Sequence, residues 1–182
     1  MWTEAEEGER VRQVARGDRQ AFAELAAHYL PRLEQFVTRL SGRPALGEDL
    51  AQDTLLQLWL EARRFDPARG RLSTWLYRIA RNRFLDQQRQ GWRWQGLESL
   101  EGQEGISDPA LEQFSEVREV QRALQRLPER QRSALLLSYY EGLSQKEVAR
   151  VLGLGLRAVE SLIVRARRAL GKSLEEAHER TR

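Results

Sequence analysis

Almost every stretch of this chain spaces its apolar residues three and four apart, and almost none alternates apolar with polar. A spacing near 3.6 gathers apolar side chains on one stripe of a helix, whereas a period of two marks a strand. The expected fold class is therefore all-α. Asp18 suits an N-cap, and the helix after it carries Ala21, Phe22, Leu25 and Tyr29 on one face. Pro31 permits a fresh helical start, with Leu33, Phe36, Val37 and Leu40 turned inward. After the turn Ser41-Gly42-Arg43-Pro44, the segment opening Gly47-Glu48-Asp49 places Ala51, Leu55, Leu58 and Ala62 on one face. Its opposite side shows Asp49, Gln52, Asp53 and Gln57. Pro67 and Gly70 make the run from Phe65 to Arg71 a loop. Ser73 is the expected cap of a helix running through Trp75, Leu76, Ile79, Ala80, Phe84 and Leu85 to about Arg89.

Residues 91–113 change character. Gly91, Gly96, Gly102 and Gly105, a run of acids and Ser107-Asp108-Pro109 read as a flexible linker, in which Trp92 and Trp94 have no assigned role. Beyond it, Leu111 to Leu127 spaces Val117, Val120, Ala123, Leu124 and Leu127 for packing. Pro128 fits the first turn of another helix, which ends at Glu141-Gly142. The expected organisation is two small helical domains, residues 10–90 and 114–172, joined by the linker and followed by a tail over 173–182.

The composition narrows the chemistry. The chain has no cysteine, so disulfides, thiolate metal sites and cysteine nucleophiles are excluded. No apolar run approaches the roughly 18 residues of a membrane span, and the acidic start Met1-Trp2-Thr3-Glu4 lacks the pattern of a signal peptide. An intracellular, cytoplasmic protein with no membrane insertion of its own is expected. Residues 1–90 hold 15 basic and 13 acidic side chains, residues 91–113 hold 1 and 5, and residues 114–182 hold 14 and 9. This basic–acidic–basic layout fits two surfaces that face a polyanion, as well as two solvated basic faces.

The strongest local signal runs from Leu143 to Leu154. Ser144 and Glu147 stand at capping-box spacing, and Val148, Ala149 and Leu152 form a short inward face on which small Ala149 allows close helix approach. Gly153 tolerates the positive φ of a tight turn, Leu154 plugs the corner, and Val159, Leu162, Ile163 and Ala166 pack a second helix. Arg157, Ser161, Val164, Arg165 and Arg168 are left outward. That is a helix-turn-helix with its recognition helix, although a plain helical hairpin with a basic face has the same pattern.

In the first domain, Phe65, Trp75 and Tyr77 stand among Arg71, Arg78, Arg81, Asn82 and Arg83. Rings stack on unpaired bases while guanidinium groups hold phosphates, and an asparagine amide can read a base edge. Trp75 also has the spacing of a core residue. Asp49 and Asp53 lie one turn apart with no histidine in the same segment, which favours a solvated or protein-binding face over a metal site. No catalytic residue, metal or cofactor is expected.

Taken together, the two halves resemble the sigma-70 family, specifically the compact extracytoplasmic-function (ECF) sigma factors. The resemblance rests on the run from Gly47 to Thr54, on Arg71-Leu72-Ser73-Thr74-Trp75-Leu76-Tyr77-Arg78-Ile79-Ala80-Arg81-Asn82, on Leu127-Pro128-Glu129-Arg130-Gln131-Arg132, on Tyr140-Glu141-Gly142-Leu143-Ser144, and on the run from Arg165 to Leu170. It implies a factor that directs core RNA polymerase to promoters. Asp49, Gln52, Asp53 and Gln57 would meet the β′ clamp helices. Phe65, Arg71, Trp75, Tyr77, Arg78, Arg81, Asn82 and Arg83 would bind the −10 element, with residues 65–72 forming a pocket for a flipped base. The recognition helix would bind −35 DNA through Arg157, Ser161, Val164, Arg165 and Arg168, and an apolar face including some of Leu135, Leu136 and Leu137 would meet the β flap. The resemblance also implies an anti-sigma partner. Here Glu160, Leu162 and Val164 stand where many relatives carry basic or aromatic residues, and Gly155 replaces a hydroxyl cap. The competing readings are a stand-alone helix-turn-helix regulator, which predicts tight duplex binding and a dimer, and a metal-dependent nuclease using Asp49 and Asp53.

Overall fold

A helix that the periodicity did not suggest, α1 (Glu4–Ala15), opens the fold. The Thr3 hydroxyl accepts from the Glu6 amide while the Glu6 carboxylate accepts from the Thr3 amide, a reciprocal cap that the acidic start concealed. Val11 and Val14 are buried, and the Tyr29 hydroxyl donates to Glu7 at 2.6 Å. The structure, a computed structural model, describes residues 2–95 and 115–180, with the side chains of 91–95, 115, 116 and 180 outside that description.

Asp18 caps α2 (Arg19–Ser41) by accepting from the Gln20 and Ala21 amides. The expected restart at Pro31 does not occur, and the helix continues through it. Pro31 is exposed, and Leu25, Tyr29, Leu33, Phe36, Val37 and Leu40 form one uninterrupted buried stripe. Packing of that stripe outweighs the roughly 3 kcal/mol that an interior proline costs. α3 (Pro44–Glu61) begins at Pro44, earlier than Gly47, with the proline in the first turn where its missing donor does no harm. Gly47 lies against α2. A Cβ there would stand 2.0 Å from the Thr38 Oγ1 and 2.8 Å from the Glu34 carbonyl, so only glycine permits this crossing.

Two single-turn 3₁₀ segments, Ala62–Arg64 and Pro67–Arg69, lead into α4 (Leu72–Gln95). The Trp75 amide donates to the Arg71 carbonyl, which places Ser73 inside the first turn and corrects its assignment as the cap. The helix also continues past Arg89, so residues 91–95 belong to it and not to the linker. The rest of the expected linker, 96–113, lies outside the described residues.

The C-terminal unit comprises α5 (Ser115–Arg126), α6 (Glu129–Tyr139), α7 (Gln145–Leu152) and α8 (Leu156–Arg180). Ala123, Leu124 and Leu127 of the expected stripe are buried, but Val117 is 48% exposed. Ser144 and Glu147 form the full capping box, and Gly153 closes α7 at φ 65°. Val148, Val151, Val159 and Ala166 pack the two helices of the motif together. α8 runs without a break past residue 172, so the expected tail continues this helix to Arg180. No strand occurs among the described residues. The buried residues of both units belong to one contiguous cluster, and α4 packs on α7 while α2 packs on α5 and α6.

Candidate nucleic-acid and protein-binding surfaces

On α8, the burial of Val159, Ile163 and Ala166 turns the other side of the helix to solvent. Arg157, Ser161, Val164, Arg165 and Arg168 are all exposed there, together with Glu160. The Arg165 Nε donates to the Ser161 carbonyl one turn back, which lays its side chain along the helix. Arg167 is directed elsewhere, 5.8 Å from the Tyr139 ring. The result is a helix whose N-terminal half and arginines face outward from a firmly capped support helix.

The −10 set divides. On α4, Arg78 and Asn82 are exposed, Trp75 and Arg83 are half-buried, and all four line an open cleft of about 420 Å³ with Gln57 and Glu61 of α3. Phe65 stands with its ring 5.8 Å from that of Trp75, so the loop before the helix is tied to the wall of the cleft. Trp75 packs on Phe65, as its core spacing suggested, and its side chain also lines the cleft. Arg83 donates to the Gln57 Oε1 at 2.7 Å and stands 3.8 Å from Asp53, which ties α4 to α3 at the wall of the cleft.

Tyr77 and Arg81 face the opposite way. They lie one turn apart on the side of α4 that carries Ala80 and Phe84, and both are buried against the C-terminal unit. The Tyr77 hydroxyl donates to the Glu141 carboxylate, and its ring meets Phe36 edge-on at 5.2 Å. Arg81, with a side chain only 8% exposed, donates to both Glu129 oxygens at 2.9 Å and to the Ser133 hydroxyl at 3.3 Å. Burial pushes the Glu141 carboxyl above its ordinary range, opposed by the Tyr77 hydrogen bond and by Arg39 and Arg32. Burial and the Glu141 carboxylate raise the Tyr77 phenol, which stays protonated and donates. Helical spacing held the signal for this division, because positions 77, 81 and 84 share one face while 75, 78 and 82 share another. Arg71 is exposed but held, 3.2 Å from Glu4 of α1 and 3.8 Å from Glu147 of α7.

Asp49, Gln52 and Asp53 are exposed along α3, with Gln52 donating to Glu48. Two residues missed by the sequence reading share that face. Leu56 and Leu60, one turn apart, are 54% and 66% exposed. Both fall outside the stripe Ala51, Leu55, Leu58 and Ala62, which is the signal that would have found them. By contrast, Leu135, Leu136 and Leu137 are all buried and offer no apolar surface, because α6 is packed by α8 and α7 on one side and by α2 on another.

Comparison with known proteins identifies this arrangement. Residues 25–93 match the family model "Sigma-70 region 2" and residues 117–170 match "Sigma-70, region 4". The chain is 33% identical over 148 residues to the ECF RNA polymerase sigma factor RpoE of Cereibacter sphaeroides, covering 80% of this chain and 82% of that protein. It is 31% identical over 180 residues to the ECF sigma factor SigW of Bacillus subtilis, covering 92% and 96%. Among solved structures, it is similar to the sigma factor RpoE in complex with the anti-sigma factor NepR from Bartonella quintana, at TM-score 0.70 and 29% identity over 85% of this chain and 96% of that one. It is also similar to CnrH in complex with the cytosolic domain of CnrY, at TM-score 0.74 and 29% identity over 93% and 97%. The chain belongs to the sigma-70 family, within its ECF sigma factors, and is a transcription initiation factor. Among the described residues, no helix is long and apolar enough to cross a membrane.

Proposed function

We propose that this factor divides promoter recognition between the outward face of α8 and the α3–α4 cleft. Arg157, Ser161, Val164, Arg165 and Arg168 enter the major groove at the −35 element, where arginines reach guanine edges or phosphates. Because Glu160, Leu162 and Val164 leave the helix less basic, the arginines carry most of the affinity. Asn82, Arg78 and Trp75, with Phe65 at the rim, bind the unpaired non-template strand at −10, stacking on a flipped base and holding its phosphates. Tyr77, Arg81 and Arg71 join them once the C-terminal unit has moved away. Arg83 joins from its place beside Gln57.

The exposed face of α3 meets the clamp helices of core polymerase through Asp49, Gln52, Asp53 and Gln57. Leu56 and Leu60 provide its apolar centre, since a helix-binding surface needs buried anchors as well as charges. The protein acts in the cytoplasm as a binding factor without catalysis of its own. An anti-sigma protein is a partner, as the two solved relatives hold one or the cytosolic domain of a second chain. The observation that carries this reading is the pairing of a solvent-facing recognition helix with a separate arginine- and asparagine-lined cleft. Run-off transcription with a cognate core enzyme on a promoter library tests it. Promoter-dependent transcripts are expected, and their complete absence would sink the reading.

A further inference from the structure

Helix α1 lies alongside the segment that leads into α4 and touches it at three points. Glu4 stands 3.2 Å from the Arg71 Nε, and the Ala15 carbonyl accepts from the Arg63 Nε at 3.1 Å. Between them, buried Gly8 faces the Pro67 ring, where an added Cβ would stand 3.7 Å from the Pro67 Cβ. The two segments run in opposite directions, so residues 4, 8 and 15 meet residues 71, 67 and 63 in turn. Positions 4, 8, 11 and 15 share one helical face, which commits that side of α1 to the loop. The adjoining face is seated on α2, with Glu7 accepting from the Tyr29 hydroxyl, Arg10 paired with Glu24 at 2.9 Å and Val14 buried. The match to region 2 begins at residue 25, so α1 lies outside it.

Little else fixes where this loop stands. The Ala68 amide donates to the Asp66 carboxylate, and the Arg69 and Gly70 amides donate to the Asp66 and Pro67 carbonyls. Those bonds set the shape of the turn without attaching it to the body of the domain. An open hollow of about 380 Å³, floored by Val11, Ala62 and Phe65, separates α1 from the loop between the contact points. Packing offers no resistance to a shift across such a space. The loop is therefore held by its two ends and by α1. At its far end Arg71 has a second, more distant carboxylate, Glu147 of α7 at 3.8 Å. Held at its Nε by Glu4, Arg71 keeps further donors of its fork for a phosphate.

Resting on the functional reading above, we infer that α1 positions the −10 loop and that Glu4 is a positioning residue acting through Arg71. Glu4 itself touches no DNA in this role. A recognition constellation has to be held to within about 0.5 Å. Holding Arg71 in advance also spares the strand the cost of ordering a long side chain on binding. The sign of the effect separates this role from plain charge. An acid close to a phosphate chain repels it, so neutralising that acid should tighten binding. A positioning Glu4 predicts the reverse.

The test uses the full chain with core polymerase and two DNAs from a promoter that the wild type transcribes, the unpaired −10 strand and the −35 duplex. Because the chain has no cysteine, Ala68→Cys carries a single nitroxide label at an exposed position of the loop. Glu4→Gln should weaken strand binding about three- to fivefold, the scale of an exposed ion pair. Glu4→Asp, which retains the carboxylate, should keep most of the affinity. Gly8→Leu wedges Pro67 away from α1 and should weaken strand binding about tenfold, the scale of an overpacked contact. Glu4→Gln and Gly8→Leu should both increase the mobility of the label and leave duplex affinity unchanged. A label as immobile in these two variants as in the wild type would overturn the clasp. A freed label with strand binding unchanged or tightened would overturn the positioning role, as would parallel loss on the duplex. Should circular dichroism show Gly8→Leu to be unfolded, Glu4→Gln with Arg63→Ala, both at exposed positions, releases the loop at its two ends with the same expected order. If the wild type binds no unpaired strand even with core polymerase, the functional reading fails, while the label still decides whether α1 holds the loop.

Discussion

The two surfaces proposed to read DNA are built on helices of nearly equal length, yet they stand in different surroundings. α8 uses one face for packing and leaves the other, with its arginines, entirely to solvent. α4 has three faces: one packs the N-terminal core, one carries Arg78 and Asn82 to an open cleft, and one presents Tyr77 and Arg81 to the neighbouring domain. An arginine at a recognition surface is therefore not always an available arginine. The two helices differ in their neighbours, since α8 lies at the margin of its own unit whereas α4 lies between units.

The largest effect is expected from removing the neighbour. Val148 is fully buried in the helix-turn-helix, and Val148→Asp would place an unpaired carboxylate there at a cost of several kcal/mol. The C-terminal unit should unfold and α4 should lose its cover, read as a new low-temperature transition and faster amide exchange at Tyr77 and Arg81. One undivided transition with protected α4 amides would show the contrast to be misplaced. Next, Arg165→Ala with Arg168→Ala should weaken duplex −35 binding at least tenfold and lower the salt dependence by about two phosphate contacts, with single-strand binding intact. Parallel loss in both assays would mean that the surfaces are not separate.

A smaller change is expected for Asn82→Ala, about 1–3 kcal/mol in binding of a matched −10 strand and none in −35 footprints. Equal loss in both would remove Asn82 from its role. The smallest effect belongs to Ser144→Ala. Loss of this cap should cost about 1 kcal/mol of stability, or roughly 2–4 °C in a chain of this size. DNA binding at low temperature should be unchanged, and a drop there would mean that α7 does more than support α8.

Much of this was legible in the sequence because it follows from local rules. The capping box at Ser144 and Glu147, the turn at Gly153, the cap at Asp18 and the outward arginines of α8 are set by residues within a turn or two of one another. Where local cues misled, a tertiary contact outweighed them. Pro31 reads as a break, but a continuous buried stripe carries α2 through it. Some of Leu135, Leu136 and Leu137 read as part of an exposed apolar face of α6, but helices pack that segment from more than one side and bury all three. Leu56 and Leu60 were overlooked because the stripe beside them already explained the helix.

What the sequence by itself determined was the helical class, the helix-turn-helix and the outward face of α8, because helical periodicity and capping act over a few residues. Only the tertiary structure decided which members of a group stand together. Tyr77 and Arg81 differ from Arg78 and Asn82 by a rotation about one helix axis, and that rotation has consequences only once Glu129 and Glu141, some fifty and sixty residues away, are brought against it. A buried guanidinium needs a carboxylate partner, and which carboxylate supplies it depends on domain packing, which no spacing within α4 records.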